Sequence, residues 1–532
     1  MRFSAILAIL VSGVTAYRSS EVPNYRNHRI APSASESLAS LNVSQANATF
    51  EQWVSHSNHS LGTFPQFYWY STQWWKGPGS PVILHTPGEL NASSYNVFLT
   101  TNRTTGLLAQ ELGAAIIVLE HRYWGTSTPV TEFTTETLQY LTLDEAIQDF
   151  VHFARTATLP WDEEGTENAP NVPWVFAGGS YAGALSAWTA KLSPGTFWAH
   201  LAASAVVEIT GDFWQYFLPV QQGMPANCSK DVSLVVDHVD AIGTNGTEEE
   251  QHALKDLFGL AGVTHFDDFA SALTNALWLW QGNQLFKDSG FWAFCDAVEN
   301  VAPNATEVPG AQGVGVEKAL AGYAEYFNNT ILPGFCEGFK YYEGERNVDC
   351  FDTYNASSPM FSDTSISNTY LRQWVWMTCN EPFGYWQSGA PRDRPTIVSR
   401  FSSYDWWVRQ CDLYFPPVNG YTVGISSGRT YEAINAKTDG WFNTDIPRLF
   451  YGNGGNDPWR EATVSAQLRP GGPYKGENRS RVEVIPKGFH SSDTYGVLSF
   501  VDPDAKRIIL EEIRQVKEWV GEFPGKGVEW PM

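Results

Sequence analysis

The spacing of hydrophobic positions changes several times along this chain, and each change marks an element. Phe67-Tyr68-Trp69-Tyr70, Pro81-Val82-Ile83-Leu84 and Ala114 to Leu119 are short apolar runs rich in β-branched and aromatic residues, the pattern of buried strands. From Leu141 to Arg155 the apolar residues follow a helical period instead, and Thr142 with Glu145 three places on supplies an N-terminal capping pair. A further strand-like run, Val172 with Trp174, Val175 and Phe176, leads into Gly178 to Gly183. Beyond it Ala184, Leu185, Ala187, Trp188, Ala190 and Leu192 sit at spacings a packed helix accommodates. Strands alternating with helices predict a mostly parallel sheet.

The texture changes from about Val206 to Asp439. Helical patterns such as Lys230 to Ile242 and Glu248 to Phe258 alternate there with long loops and tryptophan-dense patches. Strand and helix then resume with Arg448 to Tyr451, Arg481 to Ile485 and a helix from Asp504 to Val520. At the other end, Arg2, the apolar stretch Phe3 to Val11 and the small residues up to Ala16 have the form of a secretory signal. The expected organisation is a signal over 1–16, an arm or propeptide over 17–48, a core over 49–205, an inserted helical cap over 206–439, and the rest of the core over 440–532.

Composition narrows the class. The chain has 532 residues, a formal charge of −23, 17% charged residues and 14% aromatic ones, which describes a folded, aromatic-rich protein. Its negative charge disfavours nucleic acid and anionic membranes as partners, and the self-repulsion fades as carboxylates protonate, which suits an acidic medium. No stretch after the signal has the length of a membrane helix. Cys228, Cys295, Cys336, Cys350, Cys379 and Cys411 form an even set without CxxC spacing, which points to disulfides rather than zinc and leaves fifteen pairings open. Glycosylation sequons stand at Asn42, Asn47, Asn58, Asn91, Asn102, Asn227, Asn245, Asn304, Asn328, Asn355 and Asn478. Together these predict an exported protein, secreted or delivered to a vacuole-like compartment.

The candidate chemistry sits in Gly178-Gly179-Ser180-Tyr181-Ala182-Gly183. A serine in a tight bend between a strand and a helix is the nucleophile elbow of an α/β-hydrolase, with Ala182 in place of the second glycine of G-x-S-x-G. A serine hydroxyl needs a base to take its proton and a carboxylate to orient that base, in the chain order Ser, acid, His. Of eleven histidines only His490 follows His265, in a loop leaving the predicted strand Arg481 to Ile485. The acid should leave the preceding strand, where Asp457 follows a glycine-rich turn; Asp445 and Asp493 are weaker candidates. One oxyanion donor is expected from the Tyr181 N–H and the second from the loop Thr86-Pro87-Gly88-Glu89, represented by Gly88. No HGGG-type run occurs there, which disfavours a lipase or esterase.

With GGSYAG, the segments EHRYWG at Glu120 to Gly125, LQYLTLDEA at Leu138 to Ala146, NDPW at Asn456 to Trp459 and GFHSSD at Gly488 to Asp493 resemble the prolyl-specific serine peptidases, the family of lysosomal Pro-Xaa carboxypeptidase, dipeptidyl peptidase II and a secreted fungal acid prolyl endoprotease. The resemblance implies an α/β-hydrolase core with a largely helical, disulfide-stapled cap inserted between nucleophile and acid. It also implies Ser180, Asp457 and His490 as triad, Trp459 in a proline pocket, and cleavage after proline at acid pH without metal or cofactor. Trp374 and Trp376 are further pocket candidates from the cap. In the dipeptidyl members an acidic residue grips the substrate's amino group, and Glu89 lies in the corresponding loop, whose sequence differs.

The expected function is therefore a serine peptidase acting on proline-containing peptides or proteins, an endopeptidase first, with a Pro-Xaa carboxypeptidase or dipeptidyl-peptidase as alternative. A carboxylesterase or lipase on the same fold and a catalytically silent binding module are the competing readings. Oligomeric state is left open by the sequence.

Overall fold

The computed structural model describes residues 45–302, 305 and 308–525. The expected signal, the arm up to residue 44, Asn42 and Asn304 lie outside the described residues. The strands are β1 (Gln45–Trp53), β2 (Thr63–Ser71), β3 (Val82–His85), β4 (Ala115–Leu119), β5 (Trp174–Gly179), β6 (Ala199–Ala203), β7 (Thr210–Asp212), β8 (Gly384–Trp386), β9 (Leu449–Gly454) and β10 (Arg481–Ile485). Eight of them form one sheet in the order β1-β2-β4-β3-β5-β6-β9-β10, and β7 pairs with β8 separately. From β4 to β10 the neighbours run parallel, while β1 and β2 are antiparallel. This is the sheet of an α/β-hydrolase.

Strand pleat divides the core between two faces. Val82, Leu84, Trp174, Phe176 and Tyr451 point into the larger apolar cluster, with helices α2 (Leu143–Thr156) and α3 (Tyr181–Leu192). Ile83, Ile116, Val118, Val175 and Phe450 point the other way, onto α1 (Thr104–Leu112) and the helix Pro503–Gly521. Thr142 caps α2 as its sequence predicts, its side chain accepting from the Glu145 N–H.

Two elements depart from expectation. The strand β1 begins at Gln45, inside the segment assigned to the arm, and pairs with β2 from Gln45↔Ser71 to Trp53↔Thr63. Its alternation is mostly polar, and the inward Gln52 is satisfied by Gln66 and the Asp149 carbonyl rather than by apolar contact. The strand β6 reads Ala-His-Leu-Ala-Ala, too small and too short to announce itself, because it is covered closely on both faces.

Between β6 and β9 the chain is mainly helical, including Ala226–Asn245, Glu248–Leu257, Val316–Tyr326 and Arg372–Asn380. All three disulfides lie in this cap: Cys228–Cys295, Cys336–Cys350 and Cys379–Cys411, joining residues 67, 14 and 32 apart. No helix among the described residues is long and apolar enough to cross a membrane. Among the sequons, Asn47, Asn58, Asn91, Asn102, Asn245, Asn355 and Asn478 are exposed. Asn227 and Asn328 are half-buried, and their amide nitrogens donate to the carbonyls of Pro309 and Leu257.

Candidate active site

Ser180 stands between β5 and α3 with φ 61° and ψ −127°, a conformation an L-residue adopts only when its surroundings impose it. Its N–H donates to the Ala203 carbonyl on β6 at 2.9 Å. The flanking glycines explain the constraint. A Cβ at Gly178 would lie 2.1 Å from the Ala182 carbonyl oxygen, and one at Gly183 would lie 2.6 Å from that of Ala203. The helix leaves the sheet too closely for side chains at either place. Ala182 is tolerated because the residue facing its methyl is Gly88, where a Cβ would approach it to 3.3 Å.

Asp457 and His490 sit on loops beyond β9 and β10. His490 Nδ1 lies 2.9 Å from Asp457 Oδ1, and the Trp459 N–H donates to the same oxygen at 2.9 Å. Both side chains are buried, and Asp457 Oδ2 accepts no hydrogen bond among the described residues. The two loops touch backbone to backbone: Gly455 N–H donates to the Ile485 carbonyl and Asn456 N–H to that of Gly488. A Cβ at Gly455 would stand 2.1 Å from the Pro486 oxygen. The glycine-rich turn before Asp457 is thus needed for close approach.

The base loop also docks on the elbow. Ser491 N–H donates to Ser204 Oγ at 2.8 Å, and a Cβ at Gly179 would lie 3.1 Å from Ser491 Oγ. Ser180, Asp457 and His490 thus follow β5, β9 and β10 at the C-terminal edge of the parallel sheet, where open parallel sheets place their ligands. From the cap, Gln284 donates to the His490 carbonyl at 2.8 Å and accepts from Ser492 Oγ at 2.7 Å. Of the weaker acid candidates, Asp445 is exposed and bonded to Arg479, while Asp493 is buried beside the base loop.

Aromatic residues crowd one side of the pair. Trp459 is met by Phe213, Tyr216 and Tyr385 with centroids 5.6, 5.4 and 5.4 Å away, and lies 6.2 Å from His490. Its indole N–H and the Tyr216 hydroxyl both donate to Gln281 Oε1. Trp374 packs edge-on against Tyr181 at 5.3 Å. Trp376 is elsewhere: its N–H donates to the Leu141 carbonyl and its ring packs on Phe415, so it joins cap to core instead of lining the site.

The Tyr181 N–H, first in its helix, has no acceptor within it. Gly88, with φ 68°, lies against Tyr181 and Ala182 as the oxyanion expectation requires, but its N–H donates to Thr86 Oγ1 at 3.2 Å. In this conformation Gly88 offers the elbow space, and its own proton is engaged. Glu89 is half-buried, and its charge adds to burial in raising the Tyr181 hydroxyl well above its usual range. That hydroxyl meets His121 Nε2 at 3.2 Å. The rest of EHRYWG braces the scaffold: Glu120 accepts from Ala92, Thr126 and Ser127, and Arg122 grips Asp149. Gln281, Gln284, Ser204, Phe213, Tyr216 and Tyr385 escaped the sequence reading, since uncharged residues on loops and on elements of three or four residues carry no periodic signal.

A family model described as serine carboxypeptidase S28 matches residues 55–283. Serine protease vicPa of Bipolaris victoriae is 40% identical over 480 residues, covering 89% of this chain and 88% of its own. Serine protease vicPb of the same fungus is 37% identical over 502 residues, covering 93% of each. A probable extracellular serine carboxypeptidase of Arthroderma benhamiae is 27% identical over 557 residues, covering 98% of this chain and 74% of its own.

Proposed function

The chain belongs to the serine carboxypeptidase S28 family of serine peptidases, and on that premise we propose that it hydrolyses peptide bonds on the carboxyl side of proline through an acyl-enzyme on Ser180. The observation that carries this reading is the buried 2.9 Å contact between His490 Nδ1 and Asp457 Oδ1, on loops that follow the nucleophile in hydrolase order. With Nδ1–H donated to the carboxylate, Nε2 keeps the lone pair that accepts a proton.

In the proposed reaction Ser180 Oγ attacks the proline carbonyl carbon as its proton passes to His490 Nε2. The oxyanion forms near the Tyr181 N–H, where the N-terminal dipole of α3 favours negative charge. The tetrahedral adduct collapses, the C–N bond breaks, and His490 returns its proton to the leaving amine. Water, deprotonated by the same nitrogen, then releases the product acid and restores Ser180. The compact apolar pyrrolidine ring suits the aromatic faces around Trp459, which supports proline as the residue bound there.

Export to an acidic medium fits the net charge, the disulfides and the word "extracellular" in one relative's name. Relatives are named as serine proteases and as a serine carboxypeptidase; internal cleavage is the first reading and a carboxypeptidase, which one of those names supports, the second. A serine-reactive phosphonate should label Ser180 with loss of activity against a blocked peptide ending in proline anilide. Dominant turnover of a simple aryl ester would favour the carboxylesterase reading, and failure to label Ser180 would favour a silent binding module.

A further inference from the structure

Behind the base loop lies a cluster of acids that the reaction above does not use. Asp493, three residues after His490, is buried, with its Oδ1 accepting no hydrogen bond among the described residues. Its carboxylate lies over the backbone of β9, so close that a Cβ at Gly452 would stand 2.0 Å from Asp493 Oδ2. Its own carbonyl accepts from Thr104 Oγ1 at 2.5 Å, tying the base loop to α1. Glu512, on the helix Pro503–Gly521, is likewise buried, and its Oε2 is unpartnered among the described residues. Between Glu512 and the elbow lies a cavity of about 20 Å³ lined by His85, Thr105, Ala177, Gly178, Thr494 and Glu512.

The charged and titratable groups facing the cluster are few. Asp457 and His490 lie on the site side and His85 on β3, buried with both ring nitrogens unpartnered among the described residues. Arg103 opens α1 with its guanidinium over the rings of Tyr495 and Phe98, and its charge reaches His85. Two carboxylates buried this deeply near a third, each with one oxygen lacking a donor, are more stable with their protons on; for Asp493 burial outweighs the backbone N–H groups of Asp493 and Thr494 that favour its charge. Burial, with Asp457 adding to it, pushes Asp493 up to about 8, and burial followed by Asp493 raises Glu512 well above its ordinary range.

We propose that Asp493 is a positioning residue for the catalytic base and works as a neutral acid: its buried carboxyl, with that of Glu512 behind it, keeps its proton and seats the His490 loop on β9. It adds no second negative charge behind Asp457. The pair suits a base that must stay unprotonated in acid, because another carboxylate there would favour imidazolium. The proposal rests on His490 being the base.

The test compares pH profiles of Asp493→Asn and Asp493→Ala, with infrared spectra of the intact protein at pH 5. Asparagine keeps the neutral shape, so it should restore most of the kcat that alanine loses, an expected drop of about 10- to 100-fold. Its acid limb of kcat/KM should stay within about 0.3 pH unit of the wild type. Asparagine as damaging as alanine, or an acid limb moved down by about one unit, would overturn the proposal, since either means that a charge at 493 matters. If the alanine variant does not fold, the infrared spectrum decides. The wild type should show a carboxylic-acid carbonyl band that Asp493→Asn and Glu512→Gln each diminish, and absence of that band overturns the pair. Activity retained by Ser180→Ala would defeat the triad reading, while the infrared result still decides the pair.

Discussion

The imidazole of His490 and the carboxylate of Asp457 share a 2.9 Å contact inside the protein, and the Trp459 N–H holds the same carboxylate oxygen. Asp457→Asn should therefore leave the fold intact but present a donor to Nδ1, favouring the tautomer in which Nε2 carries the proton. The expected loss in kcat is about 10³- to 10⁴-fold with the melting temperature changed by only a few degrees. A loss under tenfold would mean that Asp457 does not orient the base.

The elbow makes a packing prediction. Gly183→Ala places a methyl 2.6 Å from the Ala203 carbonyl on β6, so α3 must shift, at a cost of about 1–3 kcal/mol. Ala182→Gly removes a methyl that has room and should cost no more than about 1 kcal/mol in helix propensity. Urea unfolding of the two variants gives the comparison, and equal losses would contradict the account of the elbow.

These glycines also show what the sequence could disclose. The strand runs into Ser180, the capped helix after Thr142 and the single late histidine were legible because each carries a pattern or a unique residue. The second oxyanion donor was not, since the Gly88 N–H is engaged by Thr86, and only coordinates reveal where an N–H points. Trp374 and Trp376 looked equivalent in sequence, two residues apart on one helix. Their faces differ, and one packs on Tyr181 while the other bonds to Leu141. The disulfide pairing was beyond counting, because three-dimensional approach alone selects one of fifteen arrangements.

Gln281 organises the aromatic wall from the cap. Gln281→Leu strands the buried donors of Trp459 and Tyr216, each worth about 1–3 kcal/mol when left unpaired. The aromatic faces should lose their order and kcat/KM on proline substrates should fall about 10- to 100-fold, mostly through KM. Unchanged KM would show that this wall is not where proline binds.

Stability should depend on pH in a definite direction. Asp493 and Glu512 are raised by burial, so their contribution is fully present below about pH 4; that of Asp493 is lost as pH rises through about 8, and that of Glu512 is lost in the same direction. His85 and His200 are lowered by burial to about 3 and His121 to about 4, so their contribution is present above about 6.5 and is lost as pH falls. Between about 6.5 and 8 only the acids act, and stability should fall with rising pH, by on the order of 1.4 kcal/mol per unit for each one still protonated. Below about 6.5 the three histidines oppose the two acids, so further acidification no longer adds stability. Thermal melts at pH 5, 6.5 and 8 test this; a protein steadily more stable towards pH 8 would contradict it.

The most direct test of the central claim is mass spectrometry of the products from a peptide blocked at both ends with one internal proline, incubated with the wild type and with Ser180→Ala at pH 4 to 5. The account predicts two fragments, the first ending in proline, from the wild type and none from the variant. Cleavage at other residues, or equal cleavage by the variant, would contradict it, and an intact peptide that is cut only after its carboxyl end is freed would move the assignment to a carboxypeptidase.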